Sequence, residues 1–509
     1  MKMDIDLQYY LQKYFQYDSF NYGQREIIED VMRNKDVLGI LPTGSGKSIC
    51  YQLPALIKEG TTIVITPLIS LMIDQVRELK AKQIREVVAI NSFMSWQERR
   101  EVYDNLAQYK IIYISPELIQ QEQLLNRLKQ IQVSLFVIDE AHCLSQWGHE
   151  FRTDYLRLKE VIAELGDPPL LALTATATKQ VQEDILTIIN RPMAERHVFS
   201  IDRSNIIFHI QAVKTEEEKI EQLVQIIDKY QVPTLIYFSS RQKTEEIAQE
   251  LARRLPHLTT SFYHGGMESI DRLTIQQQFM NEQLDVICCT SAFGMGINKK
   301  NIRLVIHYHF PADLESYVQE IGRAGRDGKQ SLGVILYSLE DQALQRYMIN
   351  RRFPEEQSIL LIKQLLIDHL GMEFDKVKPT LFQMLEEDEI HLQFLQYHFE
   401  KNDIIINNRL NNDIMAIERG FHEIRLHIEK RRDIKSNKLI DMINFLQTEH
   451  CLRSALFNYF HSDYKKVELC CTNCGFSLQD FQPEIFKPIP AEKTEHWQEK
   501  LNELFLIGE

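Results

Sequence analysis

Asp139 and Glu140 close an apolar run, 135–138, that reads as a buried strand. Two carboxylates at a strand end suit hydrolysis of a magnesium nucleotide. One acid ligates the metal and the other positions or deprotonates a water. Upstream, Leu41-Pro42-Thr43-Gly44-Ser45-Gly46-Lys47-Ser48 follows a strand-like run and precedes a helical pattern. Gly44 and Gly46 let backbone N–H groups wrap phosphate oxygens between Thr43 and Ser45, and the helix N-terminus adds a favourable dipole. Lys47 is placed to reach the β- and γ-phosphates, and Ser48 to ligate Mg2+ beside Asp139. Downstream, Arg323 and Arg326 stand three residues apart, on one face of a helical turn. They suit an arginine finger that stabilises charge developing in phosphoryl transfer; the plainer alternative is a surface pair bridged to Glu320 and Asp327. The loop just after Glu140 carries Trp147, His149, Phe151 and Arg152. Aromatic and guanidinium groups there suit contact with bases and phosphates.

A second chemistry lies near the end of the chain. Cys471 and Cys474 form a Cys-x-x-Cys turn, and Cys451 opens a helical run upstream. That pattern fits tetrahedral Zn2+. The fourth ligand is open between the adjacent Cys470, His450 and His461. A closed site of this kind supports folding, not catalysis.

These residues need elements to hold them. Strand-like runs at 37–41, 62–66, 111–115, 135–138 and 170–174 alternate with amphipathic stretches. A second series runs through 234–238, 261–263, 286–290, 304–307 and 333–337. Alternation of this kind predicts parallel sheets with helices on both faces, and two series predict two α/β domains, 1–200 and 201–348. Pro192 and a polar stretch mark the join near 193–208. From Pro354 the strand rhythm stops. Segment 354–411 reads as a winged-helix-like DNA-binding segment or a plain helical spacer. Segment 414–480 reads as two helices followed by the zinc module. Lys430, Arg431, Arg432, Lys435 and Lys438 sit near the junction of the two helices, as a solvated face or a DNA-backbone contact. The tail 481–509 carries an amphipathic piece with Trp497 and Phe505 that packs on the body.

Bulk properties bound these readings. The chain has 509 residues, 44% hydrophobic and 26% charged, a globular composition. No apolar run approaches the roughly 18 residues of a membrane span, and the N-terminus lacks a signal pattern, so a cytosolic protein is expected. Eight cysteines in a chain this long are no disulfide framework. The net charge of −14 argues weakly against nucleic acid, yet an acidic ATPase can still line one groove with Lys and Arg.

Taken together, the motifs resemble superfamily-2 helicases, and most closely the RecQ family of DNA helicases. The resemblance is dense over about 5–345 and looser over 415–477. Thr66-Pro67-Leu68 opening 66–75, Ser115-Pro116-Glu117, Asp139-Glu140-Ala141-His142 and Leu173-Thr174-Ala175-Thr176-Ala177 resemble motifs Ia, Ib, II and III. Ile236-Tyr237-Phe238-Ser239-Ser240-Arg241, Thr290 to Asn298, and Gln319 to Gly328 resemble motifs IV, V and VI. Residues 145–152 are similar to the family's aromatic-rich loop.

The resemblance implies two tandem RecA-like domains, then a mostly helical region with a winged-helix-like segment and a zinc-binding helical module. It implies ATP, Mg2+ and Zn2+ as cofactors. Tyr17 and Gln24 would hold adenine, the ring stacking on the base and the amide pairing with N6 and N7; Asn21 stands where the family has arginine. Arg326 would be the finger and Arg323 a phosphate partner, with His142 and Gln319 coupling the domains. His142, Trp147, Phe151 and Arg152 would couple hydrolysis to DNA. Asn298 replaces the aspartate usual in motif V. Cys451, Cys470, Cys471 and Cys474 would hold zinc, although the family's last cysteine falls on Ser477. The implied activity is 3′-to-5′ translocation on single-stranded DNA, unwinding duplex or branched DNA in recombination and repair. Single-strand-binding and recombination proteins would be partners, in the cytoplasm or, in a bacterium, at the nucleoid. The expected form is short, without the helical HRDC domain of longer relatives. The competing readings are a DNA-stimulated ATPase switch or scaffold, a superfamily-2 RNA helicase and a small-molecule ATPase.

Overall fold

Valine, isoleucine and leucine runs with no polar alternation form strands covered on both faces. The computed structural model describes residues 5–145, 153–293 and 299–484. Its first sheet contains β1 (Val37–Ile40), β2 (Thr61–Ile65), β3 (Val87–Ile90), β4 (Ile111–Ile114), β5 (Val133–Ile138), β6 (Leu170–Thr174) and β7 (Glu195–Val198). The order is β3-β4-β2-β5-β6-β1-β7, all neighbours parallel. The second sheet contains β8 (Ile206–Ala212), β9 (Thr234–Tyr237), β10 (Thr260–Tyr263), β11 (Val286–Cys289), β12 (Leu304–His307) and β13 (Ser331–Tyr337). Its order is β10-β11-β9-β12-β13-β8, again parallel throughout. Both are RecA-like sheets with helices packed against them.

Two of the strands occupy the stretch that reads as an interruption in the sequence. β7 is Glu-Arg-His-Val, three of its residues charged or imidazole, and it lies at the sheet edge against β1, where polar side chains meet solvent. β8 is also an edge strand. The chain crosses between domains from Val198 to Ile206.

After β13 the structure is helical. Helices Glu356–Asp368, Phe374–Met384 and Glu389–Lys401 precede an antiparallel ribbon, β14 (Ile405–Ile406) with β15 (Arg409–Leu410). They share an apolar core including Ile362, Leu366, Leu381, Leu395, Phe399 and Ile404. The segment is thus built of three helices and a short hairpin around one apolar core.

The two helices expected from Ile414 are one helix of 33 residues, Ile414–Leu446. Nothing between Phe421 and Leu446 breaks it, since lysine and arginine are good helix formers and neither glycine nor proline intervenes. Most of the basic run is no solvated face: Arg431, Lys435 and Lys438 are buried, while Lys430 is exposed and Arg432 half-buried. Buried cations require partners. Lys438 pairs with Glu315, which also accepts the Tyr459 hydroxyl at 3.3 Å. Lys435 lies 3.9 Å from Asp313. The run fastens the long helix to the second domain.

Candidate active site and metal centre

Parallel strands deliver their C-terminal ends to one edge of a sheet. β1 delivers residues 41–48, β5 delivers Asp139 and Glu140, and β6 lies between them and delivers Ala175. The loop after β1 turns through Gly44 (φ +83°) and Gly46 (φ +77°), left-handed conformations that side chains resist. Helix Ile49–Ile57 begins directly after Ser48. The hydroxyl oxygens of Thr43 and Ser45 are buried without a hydrogen-bond partner among the described residues. Buried hydroxyls are normally satisfied, so this loop fits an anionic, oxygen-rich ligand such as a nucleotide phosphate.

Gln24 is buried beside the loop. Its amide donates to the Ser45 and Gly46 carbonyls, each at 2.9 Å, and its oxygen accepts the Asn21 N–H at 2.9 Å. Both N–H donors are thus engaged and one lone pair remains, enough to accept from an adenine amine but not to donate to N7. Asn21 also donates to the Ser45 carbonyl, at 3.0 Å. Tyr17 is exposed, with the Lys82 ammonium 4.8 Å from its ring centre.

Glu140 adopts a left-handed backbone (φ +50°, ψ +47°), a strain of roughly 1–3 kcal/mol of the kind stored at functional sites. Its N–H donates to the Asp139 carboxylate at 2.9 Å. His142 lies 3.4 Å from the Glu140 carboxylate and 2.9 Å from the Thr174 hydroxyl, joining the ends of β5 and β6. Burial, with the Glu140 charge adding to it, pushes Asp139 up to about 7, against Lys47. Burial also opposes ionisation of Glu140, but Lys47, His142, Arg323 and Arg326 outweigh it and hold the carboxyl below its ordinary range. The pair therefore divides into an ionised base and an acid whose charge a bound cation would stabilise.

The cations at Glu140 come from both domains. Helix Leu314–Ile321 carries buried Gln319, and the turn after it carries Arg323 and Arg326. This turn abuts the phosphate loop. A Cβ on Gly44 would lie 3.0 Å from Arg326 Cγ, and one on Gly322 would lie 3.0 Å from Thr43 Cβ. Burial, then Arg323 and Arg203, push Arg326 down to about 9. Gln276 of the second domain donates to Asp74 of the first at 2.9 Å. Lys47, Asp139, Glu140, Arg323 and Arg326 thus converge on one cleft between the sheets.

Trp147, Phe151, Arg152 and Asn298 lie outside the described residues. At the borders of the first of these stretches, Ser145 donates to Asp184 at 2.6 Å, and Arg157 pairs with Glu400 and lies 5.9 Å from the Tyr397 ring centre.

The four sulfurs of Cys451, Cys470, Cys471 and Cys474 lie within 4.8 Å of one another. Cys451 Sγ is 3.6 Å from Cys470 Sγ and 4.0 Å from Cys471 Sγ. Tetrahedral zinc with Zn–S bonds near 2.3 Å places sulfurs about 3.8 Å apart, so the cluster fits the metal. Cys470 takes the place left open between it and the histidines; Ser477 instead closes a turn, its N–H on Asp480 at 2.8 Å. The Leu452 N–H donates to Cys471 Sγ at 3.3 Å, supporting a thiolate. The zinc loop adds to the second sheet: Phe208 of β8 bridges to Cys471 and its N–H donates to the Cys470 carbonyl at 3.1 Å.

Arg203 and Arg453 carry no signal in the sequence. Arg203 reaches the backbone of both domains, at Thr43 and Gly322. No local motif marks it.

Residues 21–185 match the DEAD/DEAH box helicase family, 218–328 the helicase conserved C-terminal domain and 403–476 the RecQ zinc-binding family. The chain is 39% identical over 508 residues, 98% of both chains, to the probable ATP-dependent DNA helicase RecS of Bacillus subtilis strain 168. It is 41% identical over 369 residues to the ATP-dependent DNA helicase RecQ of the same strain, covering 71% of this chain and 62% of that one. It is 40% identical over 355 residues to RecQ of Haemophilus influenzae, covering 68% and 56%. The chain thus spans less than two thirds of the two RecQ relatives. Among solved structures, Mycobacterium smegmatis helicase Lhr bound to single-stranded DNA and AMP-PNP aligns with a TM-score of 0.56 at 18% identity, covering 81% of this chain and 61% of that one. Saccharomyces cerevisiae Dbp5 bound to RNA and ADP-BeF3 aligns with a TM-score of 0.55 at 17% identity, covering 69% and 91%. These likenesses concern the fold alone.

Proposed function

Because the chain belongs to the RecQ family of ATP-dependent DNA helicases, we propose that its cleft hydrolyses ATP to drive 3′-to-5′ movement along single-stranded DNA and to open duplex or branched DNA. The observation that carries this reading is the convergence of the phosphate loop, the Asp139–Glu140 pair and Arg326 from two domains on one cleft. Glu140, held ionised beside Lys47, Arg323 and Arg326, takes the proton of the attacking water. Arg326 and Lys47 stabilise charge on the transferred phosphoryl group. Ser48 and Asp139 would hold Mg2+, which supplies charge neutralisation at the phosphates when bound. Tyr17 and Gln24 border the adenine position. Gln319 and Arg323 sit where a change in domain spacing alters contact with the phosphates. Opening and closing of the cleft across a hydrolysis cycle then moves the two domains along the strand.

Coupling to DNA is assigned to His142 and to Trp147, Phe151 and Arg152. His142 supports this because it touches both Glu140 and Thr174, so a shift in the following loop is felt at the base. Trp147→Ala is expected to reduce DNA stimulation of ATP hydrolysis by about fivefold to 150-fold, the weight of one base-stacking contact of roughly 1–3 kcal/mol, while DNA-independent turnover stays unchanged. Steady-state ATPase titrations with an oligonucleotide check this; undiminished stimulation removes the loop from the mechanism. A role in recombination and repair fits the family, with single-strand-binding and recombination proteins as partners. Its site of action would be the cytoplasm, at the nucleoid in a bacterium. No described helix is long and apolar enough to cross a membrane.

A further inference from the structure

The segment between the two sheets is held from both sides by arginines. Arg203 donates from Nη1 to the carbonyls of Thr43 (3.0 Å) and Gly322 (3.1 Å), and from Nη2 to those of Ala324 (3.2 Å) and Gly325 (2.5 Å). One guanidinium thus joins the phosphate loop of the first domain to the turn that bears Arg323 and Arg326 in the second. Gly322, Ala324 and Gly325 follow the C-terminus of helix Leu314–Ile321, where exposed carbonyls favour a cation. The fork geometry of arginine meets four acceptors at once, which an ammonium on a flexible stem does not.

Arg203 does not stand alone. Arg453, fully buried in the first turn of helix Leu452–Tyr459, pairs with the Asp202 carboxylate and donates to the carbonyls of Arg203 (3.3 Å) and Ile206. Its guanidinium lies 4.8 Å from the Phe208 ring centre. Asp202 also accepts the Lys465 N–H at 2.9 Å, and the Ile201 N–H donates to Ser462 at 3.2 Å. Both residues lie in the zinc module, and Arg453 is two residues from the ligand Cys451. The helix of the module also lines, with Thr43, Arg203 and Gly322, a small cavity behind the cleft.

We infer that Arg203 is a further positioning residue for ATP hydrolysis, clamping the phosphate loop onto the arginine-bearing turn, and that the zinc module fixes it there through Arg453 and Asp202. The module is then a rear support of the nucleotide cleft. This rests on the reading of the cleft as the ATP site. Nucleotide is held mainly by the first domain, so loss of the clamp affects delivery of Arg326 more than binding.

The test uses the full chain with single-stranded oligonucleotide, measuring kcat and KM for ATP, oligonucleotide affinity and bound zinc. Arg203→Ala is expected to lower kcat at least about tenfold, the loss of several hydrogen bonds, with KM and oligonucleotide affinity within about twofold and zinc retained. Arg203→Lys does not restore it. Arg453→Met lowers kcat in the same direction and adds little in the Arg203→Ala background, because both act through one contact set. Should Arg453→Met lose zinc or fold poorly, Asp202→Asn, which leaves Arg453 in place, makes the same comparison. A kcat for Arg203→Ala within twofold of the parent overturns the inference, as do multiplicative effects of the two sites. A parent chain with no DNA-stimulated hydrolysis would instead overturn the reading of the cleft itself.

Discussion

Arg326→Ala is expected to lower DNA-stimulated ATP turnover by about 10^3–10^5-fold, the weight of an arginine finger in phosphoryl transfer. The side chain lies against Gly44 of the phosphate loop while its backbone belongs to the second domain. Burial and two neighbouring arginines push its pKa down to about 9, so Arg326 is held charged at neutral pH in a place where charge is costly. A guanidinium kept there, with Glu140 opposite, suits a partner that carries negative charge only when nucleotide is bound. Nucleotide affinity should fall far less than kcat, since the first domain supplies the phosphate loop. Single-turnover hydrolysis measured beside binding of a fluorescent ATP analogue separates the two. Equal losses in kcat and affinity would make Arg326 a binding residue. Turnover near that of the parent would return it to the plainer reading, a surface ion-pair partner.

Glu140→Gln is expected to lower turnover by about 10^2–10^4-fold, the usual contribution of a positioned general base. Glutamine keeps the size and the strained backbone position but cannot take a proton. The surrounding cations hold the Glu140 carboxyl ionised, while burial and the neighbouring charge push Asp139 up to about 7. That environment is what supports Glu140, not Asp139, as the proposed base. Binding of ATP should be retained, and the complex should persist long enough to be isolated with nucleotide uncleaved. Rapid hydrolysis by this variant would move the base elsewhere.

The chemistry was legible because it is local. Residues 41–48, Asp139-Glu140 and Arg323/Arg326 each announce a role by type and spacing, and the strand–loop–helix context of each is written beside it. The cysteines declare zinc for the same reason, and the structure draws Cys470, already a candidate for the fourth ligand, within 4.8 Å of the other sulfurs. What was not legible is set by contacts distant in the chain. Arg203 is a single arginine in a segment without periodicity, and its acceptors are backbone carbonyls of residues 43, 322, 324 and 325. Backbone acceptors leave no trace in a side-chain pattern. β7 was missed because an edge strand can be polar. The basic run in the long helix reads as a solvent or DNA face by composition. At Lys435 and Lys438 it is instead a buried seam, because Asp313 and Glu315 of the second domain face them. Gln24 was assigned to adenine alone, yet its amide also holds the loop that grips the phosphates.

The central claim is that one cleft, closed by two domains, powers strand separation. Strand displacement on duplexes carrying a 3′ or a 5′ single-stranded tail, with ATP and Mg2+, by the parent chain and by Glu140→Gln, tests it most directly. Displacement is expected from the 3′-tailed duplex by the parent, little from the 5′-tailed one, and none by Glu140→Gln despite intact DNA binding. DNA-stimulated ATP hydrolysis by the parent without displacement of either duplex would contradict it.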